Sequence, residues 1–173
     1  MKTIYTTPIF REVLSLVARL FLRLTGWKVT GETPHYKKYI LIAAPHTSNW
    51  DFIFMLCVVL SRKMDARWMG KQHFIKPPFH GIIQWIVGIA TERSKTNNTV
   101  DSMVNAFESA SSLTLLITPE GTRSKVKEWK TGFYRIATAA EIPIVLGFID
   151  ASTKTCGFGD TFNPTGNIDE DML

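Results

Sequence analysis

Short apolar runs alternate along the chain with longer segments whose apolar residues recur at helical spacing. The apolar runs predict strands at residues 39–44, 66–69, 88–91, 113–117 and 142–149. The segments between them predict helices at residues 49–60, 81–87, 98–110 and 127–141. Strands without polar alternation are typical of parallel sheets that are covered on both faces. The pattern therefore predicts an α/β fold, a single domain with a largely parallel central sheet flanked by helices.

The N-terminal segment is predicted to form an amphipathic helix over residues 8–24, with Pro8 at its start and Gly26 just past its end. At 100° per residue its polar side chains share one sector of roughly 120°, and the rest of the cylinder is apolar. That polar sector holds Arg11, Glu12, Ser15, Arg19 and Arg23.

Two interpretations of this helix stay open: a helix packed into its own domain, or an interfacial helix whose apolar face enters a membrane surface. Both can hold for different sides of the helix, since the apolar sector is wider than one packing face needs. Residues 1–25 are therefore set apart as a membrane-associating helix, and residues 26–173 form the domain.

After Cys156 the signals are weaker. Several glycines and Pro164 predict an irregular surface segment, and an acidic cluster at residues 169–171 looks like the start of a short helix.

Length and composition narrow the class of protein. The chain has 173 residues, of which 45% are hydrophobic and 20% charged, values that exclude extended disorder. The net charge of +5 favours an anionic partner such as phosphate or a lipid surface.

Two cysteines cannot form a disulfide framework or a zinc site, so a reducing compartment is expected. No uncharged apolar run reaches the roughly 18 residues of a membrane span, and charged residues interrupt any signal peptide. A peripheral protein at the cytoplasmic face of a membrane is therefore expected.

Ionisable residues follow three of the predicted strands, those that end near residues 44, 91 and 117. His46 and Asp51 follow the first, Arg93 follows the second, and Glu120 and Arg123 follow the third. Because the carboxyl ends of parallel strands meet at one edge of a sheet, these side chains are predicted to converge there.

His46 and Asp51 are five residues apart, about 140° around a helix, so they would not meet on one continuous helix. If the helix begins near Ser48, the preceding loop can fold back and bring the imidazole against the carboxylate. An aspartate on one ring nitrogen sets the tautomer and leaves the other nitrogen free to act as a general base. The alternative is a capping box over residues 48–51, in which Asp51 serves the helix amides.

The segment from Glu120 to Arg123 leaves a buried strand through Pro119. Gly121 permits a positive φ or a close approach of ligand to backbone, and Arg123 offers a planar fork for phosphate. The alternative is an ordinary turn with a surface arginine, and the same ambiguity holds for Arg93.

Other motifs are missing from the sequence. It contains no glycine-rich nucleotide loop, no dinucleotide fingerprint and no Gly-x-Ser-x-Gly nucleophile turn. No metal-ligand spacing and no nucleic-acid recognition motif is found. Four basic residues near the third loop could bind phosphates or form a solvated helix face, namely Lys125, Lys127, Lys130 and Arg135.

Taken together, four blocks of the sequence resemble the glycerolipid acyltransferase family, which includes 1-acyl-glycerol-3-phosphate acyltransferases. His46 and Asp51 match the His-x-x-x-x-Asp (HX4D) block, and a strand ending in Arg93 matches the second. Residues 119–123 match Pro-Glu-Gly-Thr/Ser-Arg, and residues 142–145 match an apolar strand with an early proline. The resemblance runs from about residue 26 to residue 149. The chain departs from the family at Pro45, where many members have Asn, and at Leu146, where a second proline is frequent.

The resemblance implies transfer of a fatty acyl group from acyl-CoA or acyl carrier protein to a lysophospholipid hydroxyl, as in 1-acyl-glycerol-3-phosphate. His46 would deprotonate that hydroxyl and Asp51 would orient His46. The expected partners are the lyso-lipid acceptor, the thioester donor and a membrane surface, with no nucleic acid, metal or cofactor. The alternatives are an acyl-thioester hydrolase and a non-catalytic lipid-binding module of the same fold.

The resemblance also implies a binding site for the acceptor phosphate. Arg93 and Arg123 would hold the phosphate, while Glu120, Gly121 and Thr122 would shape the pocket around it.

Overall fold

The computed structural model describes residues 7–71, 88–91 and 96–172 of the chain. Within those residues the helices are α1 (Pro8–Thr25), α2 (Asn49–Ser61), α3 (Thr96–Ser109), α4 (Gly132–Ala139) and α5 (Ile168–Asp171). The strands are β1 (Lys28–Thr30), β2 (Lys38–Ala43), β3 (Ala66–Lys71), β4 (Gly88–Thr91), β5 (Leu113–Ile117), β6 (Ile144–Asp150) and β7 (Thr155–Phe162).

The seven strands form one sheet in the order β1-β7-β6-β2-β5-β3-β4. All neighbouring pairs are parallel except β6 and β7, which are antiparallel. The central strands are covered on both faces, and all five residues of β5 are buried. The predicted α/β domain with a largely parallel sheet is therefore confirmed.

Alternate residues of the central strand β2 face two separate hydrophobic clusters, as the period of two in a strand requires. Leu41 packs on one side with residues of α1 and α2, including Leu22 and Val58. Ile40 and Ile42 pack on the other side with residues of α3 and α4. The sheet is thus sandwiched between two helical layers, and its carboxyl edge stays open to the loops that follow β2 and β5.

Helix α1 confirms the predicted N-terminal helix and buries one face against α2. Pro8 occupies its first turn, and Gly26 ends it in the left-handed conformation at φ +78°. The buried face carries Ser15, Ala18 and Leu22, while seven apolar side chains on the opposite side are exposed. Those exposed residues are Ile9, Phe10, Val13, Leu16, Val17, Leu20 and Leu24. None of the helices in the described part of the chain combines the length and apolar character that crossing a bilayer requires.

The structure differs from the sequence predictions in three places. The helix predicted at residues 127–141 is confined to Gly132–Ala139, because the backbone N–H of Lys130 turns back to the carbonyl oxygen of Pro119 at 2.9 Å. The segment predicted to be irregular after Cys156 instead continues strand β7 as far as Phe162, with Cys156 and Phe158 buried, and is irregular only from there to the short helix α5. Strand β1 was not predicted, because three residues without an apolar run give no signal. The predicted helix at residues 81–87 lies outside the described residues.

Candidate active site

His46 lies in the loop between β2 and α2, and Asp51 lies in the first turn of α2. The His46 Nδ1 atom is 3.5 Å from the Asp51 Oδ2 atom, and their side chains are 22% and 13% exposed. That distance exceeds the 2.7–3.2 Å of an ordinary N–H···O hydrogen bond. Catalytic contacts in unliganded sites are often this long and tighten when substrate binds. The loop therefore does fold back and bring the two side chains together.

Asp51 also holds the loop that carries His46. Its Oδ2 atom accepts the backbone N–H of Thr47 at 2.6 Å and that of Ser48 at 2.7 Å. Ser48 is the N-cap of α2 and forms a capping box with Asp51. The two interpretations of Asp51 are thus compatible, since one carboxylate caps the helix and contacts the imidazole.

Glu120 links the two strand-end loops. Its Oε2 atom accepts the backbone N–H of His46 at 2.7 Å, although the residues are 74 positions apart in the chain. β2 and β5 are adjacent parallel strands, with Ile42 opposite Ile117, so the loops leave the same edge side by side. A carboxylate that accepts a backbone N–H makes one of the stronger hydrogen bonds in proteins. This bond fixes the backbone position of His46.

Gly121 stands at a turn that requires glycine. Its φ is +63°, and its N–H donates to the carbonyl oxygen of Thr118 at 3.1 Å. A Cβ atom added here would lie 2.7 Å from the Lys130 Nζ atom. The ammonium group of Lys130 therefore lies over Gly121, whereas the sequence alone left open whether Lys130 binds phosphate or belongs to a solvated helix face. Lys130 lies too far along the chain from the 119–123 motif to be counted in it. The several basic residues near the loop were the only indication of this contact in the sequence.

Arg123 and Thr122 are exposed in the loop that follows Gly121. Thr122 accepts the backbone N–H of Ser124 on its hydroxyl oxygen at 3.3 Å. The Arg123 guanidinium makes no hydrogen bond or ion pair with any residue that the structure describes, so it is free to bind an anion. Arg93 lies outside the described residues.

Neither cysteine of the chain supplies a nucleophile for this site. Cys57 and Cys156 are buried in the core, and burial raises the pKa of both thiols, that of Cys156 to about 11. Thiols held in the protonated form are poor nucleophiles. Nor does the described part of the chain contain a group of three or more His, Cys, Asp or Glu residues able to hold a metal ion.

Exposed apolar side chains surround the start of α2, next to His46 and Asp51. Trp50 is 59% exposed, Phe52 45% and Ile53 38%. The rings of Trp50 and Phe54 lie 6.4 Å apart, and Phe54 in turn contacts Phe21 of α1. An apolar surface therefore joins the candidate active site to α1.

The chain is similar to a family of known proteins over most of its length. A family described as Acyltransferase matches residues 26–146, a range that contains His46, Asp51 and the 119–123 segment. A 1-acyl-sn-glycerol-3-phosphate acyltransferase from Haemophilus influenzae is 30% identical over 158 residues, covering 83% of this chain. The chain spans about 64% of the length of that relative. No solved structure matches the chain.

Proposed function

Because the chain belongs to the glycerolipid acyltransferase family, we propose that it transfers a fatty acyl group from a thioester to a lysophospholipid hydroxyl. The donor is acyl-CoA or acyl carrier protein, and the acceptor resembles 1-acyl-glycerol-3-phosphate. One observation carries the proposal: at the carboxyl edge of β2 and β5, His46 contacts Asp51 through its imidazole and Glu120 through its backbone N–H. The acceptor class follows that of the Haemophilus influenzae relative, a 1-acyl-sn-glycerol-3-phosphate acyltransferase.

In the proposed mechanism His46 acts as general base. With the proton on Nδ1 held by Asp51, the Nε2 lone pair is free to take the proton of the acceptor hydroxyl. The hydroxyl oxygen attacks the thioester carbonyl carbon, the new C–O bond forms and the C–S bond breaks. The sulfur leaves as a thiolate and takes the proton from His46. A thiol pKa near 8.5 makes this leaving group good enough that no acyl-enzyme is needed.

The acceptor phosphate is assigned to the loop after β5. Arg123 offers a guanidinium fork that no described residue engages, and the Lys130 ammonium over Gly121 adds a second positive charge in the same loop. Arg93 completes the proposed set from the sequence alone. Glu120 acts here mainly through the backbone of His46, while Gly121 and Thr122 set the shape of the turn.

The same proposal places the protein at the cytoplasmic face of a membrane, attached peripherally through α1. Seven exposed apolar residues on one helix form a surface that water solvates poorly, and Trp50 extends it toward His46. An insoluble acceptor would then reach the site without leaving the bilayer surface.

The function is tested by measuring thioester turnover with and without a lysophospholipid. We expect free thiol and acylated lipid to appear together and only when acceptor is present. Turnover of the same rate without acceptor would identify a hydrolase, and binding of lipid without any turnover would identify a non-catalytic module.

The phosphate site is tested by Arg123→Lys. Lysine keeps the charge but loses the bidentate fork, so we expect a higher apparent KM for a phosphorylated acceptor, by about tenfold. A phosphate-free acceptor should change much less, and Lys127→Arg, an exposed exchange in the same loop, provides the control. Equal losses with both acceptors would place Arg123 outside the phosphate site.

A further inference from the structure

Three arginines meet in a groove on the side of the molecule that carries α1. The groove has a volume of about 480 Å³ and lies between α1, the end of α2 and β1. Arg19 and Arg23 line it from α1, Arg62 lines it from the end of α2, and Trp27 forms part of its wall. No acidic residue is among the described side chains that line it. Such a surface attracts an anion.

Two of the arginines are held in place by the fold. Arg19 donates from Nη2 to the Ser15 hydroxyl at 2.9 Å and from Nε to the Ser61 carbonyl oxygen at 3.3 Å. Arg62 donates from Nη2 to the carbonyl oxygen of Gly31 at 3.3 Å. Each guanidinium has five N–H donors, so both retain donors for a ligand. The Arg23 guanidinium has no hydrogen-bond or ion-pair partner among the described residues.

The groove borders the exposed apolar face of α1. Leu16 and Leu20 precede Arg19 and Arg23 by three residues, so their side chains are neighbours on the helix surface. Leu16 is 67% exposed and Leu20 54% exposed. If this face enters the acyl region of a bilayer, the arginines beside it lie at the depth of the headgroups.

The groove wall has the chemistry of a membrane interface. The Trp27 ring stacks on Phe54 with ring centroids 4.0 Å apart, which fixes the indole at the edge of the groove. Tryptophan is enriched where hydrocarbon meets headgroups, because one side of the indole is apolar and its N–H is polar.

We propose that this groove is a binding site for the phosphate group of an anionic phospholipid, separate from the candidate active site. Arg19, Arg23 and Arg62 hold the headgroup while Leu16 and Leu20 enter the bilayer beside it. The inference rests on the proposed attachment of α1 to a membrane and adds to it a defined headgroup site. It predicts selectivity for anionic lipid that depends on named side chains and not on net charge.

The test measures sedimentation of the 173-residue chain with vesicles of phosphatidylcholine, with and without phosphatidylglycerol, in the absence of acyl donor. Arg23→Gln removes a guanidinium without a partner in the described fold, so the variant should remain folded. We expect it to bind the anionic vesicles about fivefold more weakly than the parent, the effect of one basic residue near a charged membrane surface. Arg135→Gln, an exposed charge loss on α4 across the sheet, should change binding less than twofold.

Arg23→Lys separates a built site from diffuse charge. A lysine keeps the charge but cannot grip phosphate with two parallel N–H groups, so at least a twofold loss is expected. Equal binding by Arg23→Lys and parent, or equal losses in Arg23→Gln and Arg135→Gln, would overturn the site. Inorganic phosphate at constant ionic strength should displace less than half of the bound protein, and full displacement would show a site for free phosphate.

One further outcome concerns what covers α1. A stable dimer that fails to bind either kind of vesicle would show that a second copy of the chain covers this face, and would overturn the proposal. Because the assay contains no thioester, its failure is distinguishable from failure of the proposed acyl transfer.

Discussion

At the residue scale, one oxygen atom of Asp51 connects helix capping with the candidate chemistry. The same Oδ2 atom accepts two backbone N–H groups of the loop and lies 3.5 Å from the His46 imidazole. An aspartate beside the imidazole orients it and stabilises the imidazolium that forms during proton transfer. Substitution of Asp51 therefore changes both stability and rate, while substitution of His46 isolates the rate.

His46→Ala is expected to lower turnover by about 10² to 10⁴, the usual contribution of a general base. His46 is a loop residue outside both hydrophobic clusters, so circular dichroism and thermal melting should match the parent. His35→Ala, an exposed histidine in the loop before β2, should retain full activity. A folded His46→Ala protein that transfers acyl groups within tenfold of the parent would refute the mechanism.

Glu120 is predicted to act as a positioning residue through the backbone of His46. Glu120→Ala leaves a half-buried N–H without its partner, a loss of about 1.5–3 kcal/mol for a bond to a charged group. If that loss falls on the transition state, kcat decreases about ten- to a hundredfold with little change in the acceptor KM. Glu120→Gln keeps an oxygen at the same position and should restore most of kcat. A large rise in acceptor KM in both variants would instead indicate direct contact with the acceptor.

At the element scale, the antiparallel pair of β6 and β7 depends on a turn organised by one carboxylate. Asp150 accepts the hydroxyls of Ser152 at 2.6 Å and Thr153 at 2.7 Å, and the backbone N–H of Ser152 at 2.9 Å. These hydrogen bonds to the ionised form lower the pKa of Asp150 to about 2. The turn reverses the chain direction so that β7 pairs with β6. This is the only antiparallel pair among the described strands.

Asp150→Asn tests that turn by its pH dependence. Because the pKa of Asp150 is lower in the folded protein than its unfolded value near 3.9, the ionised carboxylate stabilises the fold fully above that unfolded pKa. This contribution to stability is lost as the pH falls through about 2. The variant should therefore melt below the parent at pH 7, and the two melting temperatures should converge between about pH 4 and pH 2. Asp160→Asn, exposed on β7, should show no such convergence. A difference that persists unchanged to pH 2 would exclude this role of the carboxylate.

At the scale of the whole molecule, α1 serves the core and the surface at once. Its buried face covers α2, so deleting the helix would expose core residues and would not test membrane attachment cleanly. Substitutions on the exposed face avoid this problem, because those side chains contribute little to the core.

Leu16→Gln combined with Leu20→Gln is expected to shift the protein from vesicles to the soluble fraction. Burying a leucine in an apolar phase is worth about 1.5 kcal/mol or more, so losing two should weaken vesicle binding at least tenfold. Tyr36→Gln, an exposed aromatic outside α1, should bind as the parent does. Unchanged flotation of the double variant, with unchanged thermal stability, would show that α1 is only structural.

Much of the fold was predictable because the periodicity of burial is a local property. The strands 39–44 and 113–117 were predicted from runs in which every residue is apolar or nearly so, and both occupy the sheet centre. The N-cap at Ser48 and the left-handed helix end at Gly26 were equally predictable from the sequence, since each depends on neighbours within four residues. Strand β7 was missed because its outer half is exposed and polar, and only its pairing with β6 makes it a strand.

The candidate site, like the fold, was predictable only in part from the sequence. The sequence alone determined which residue types follow the strands and that parallel topology gathers them at one edge, which brought His46, Asp51 and Glu120 into one hypothesis. Only the tertiary structure decided that the Glu120 carboxylate accepts the backbone N–H of His46 and that Lys130 lies over Gly121. It also decided that three arginines from α1 and α2 share one groove. Contacts of this kind join residues far apart in the chain, and their geometry depends on packing, which no local pattern encodes.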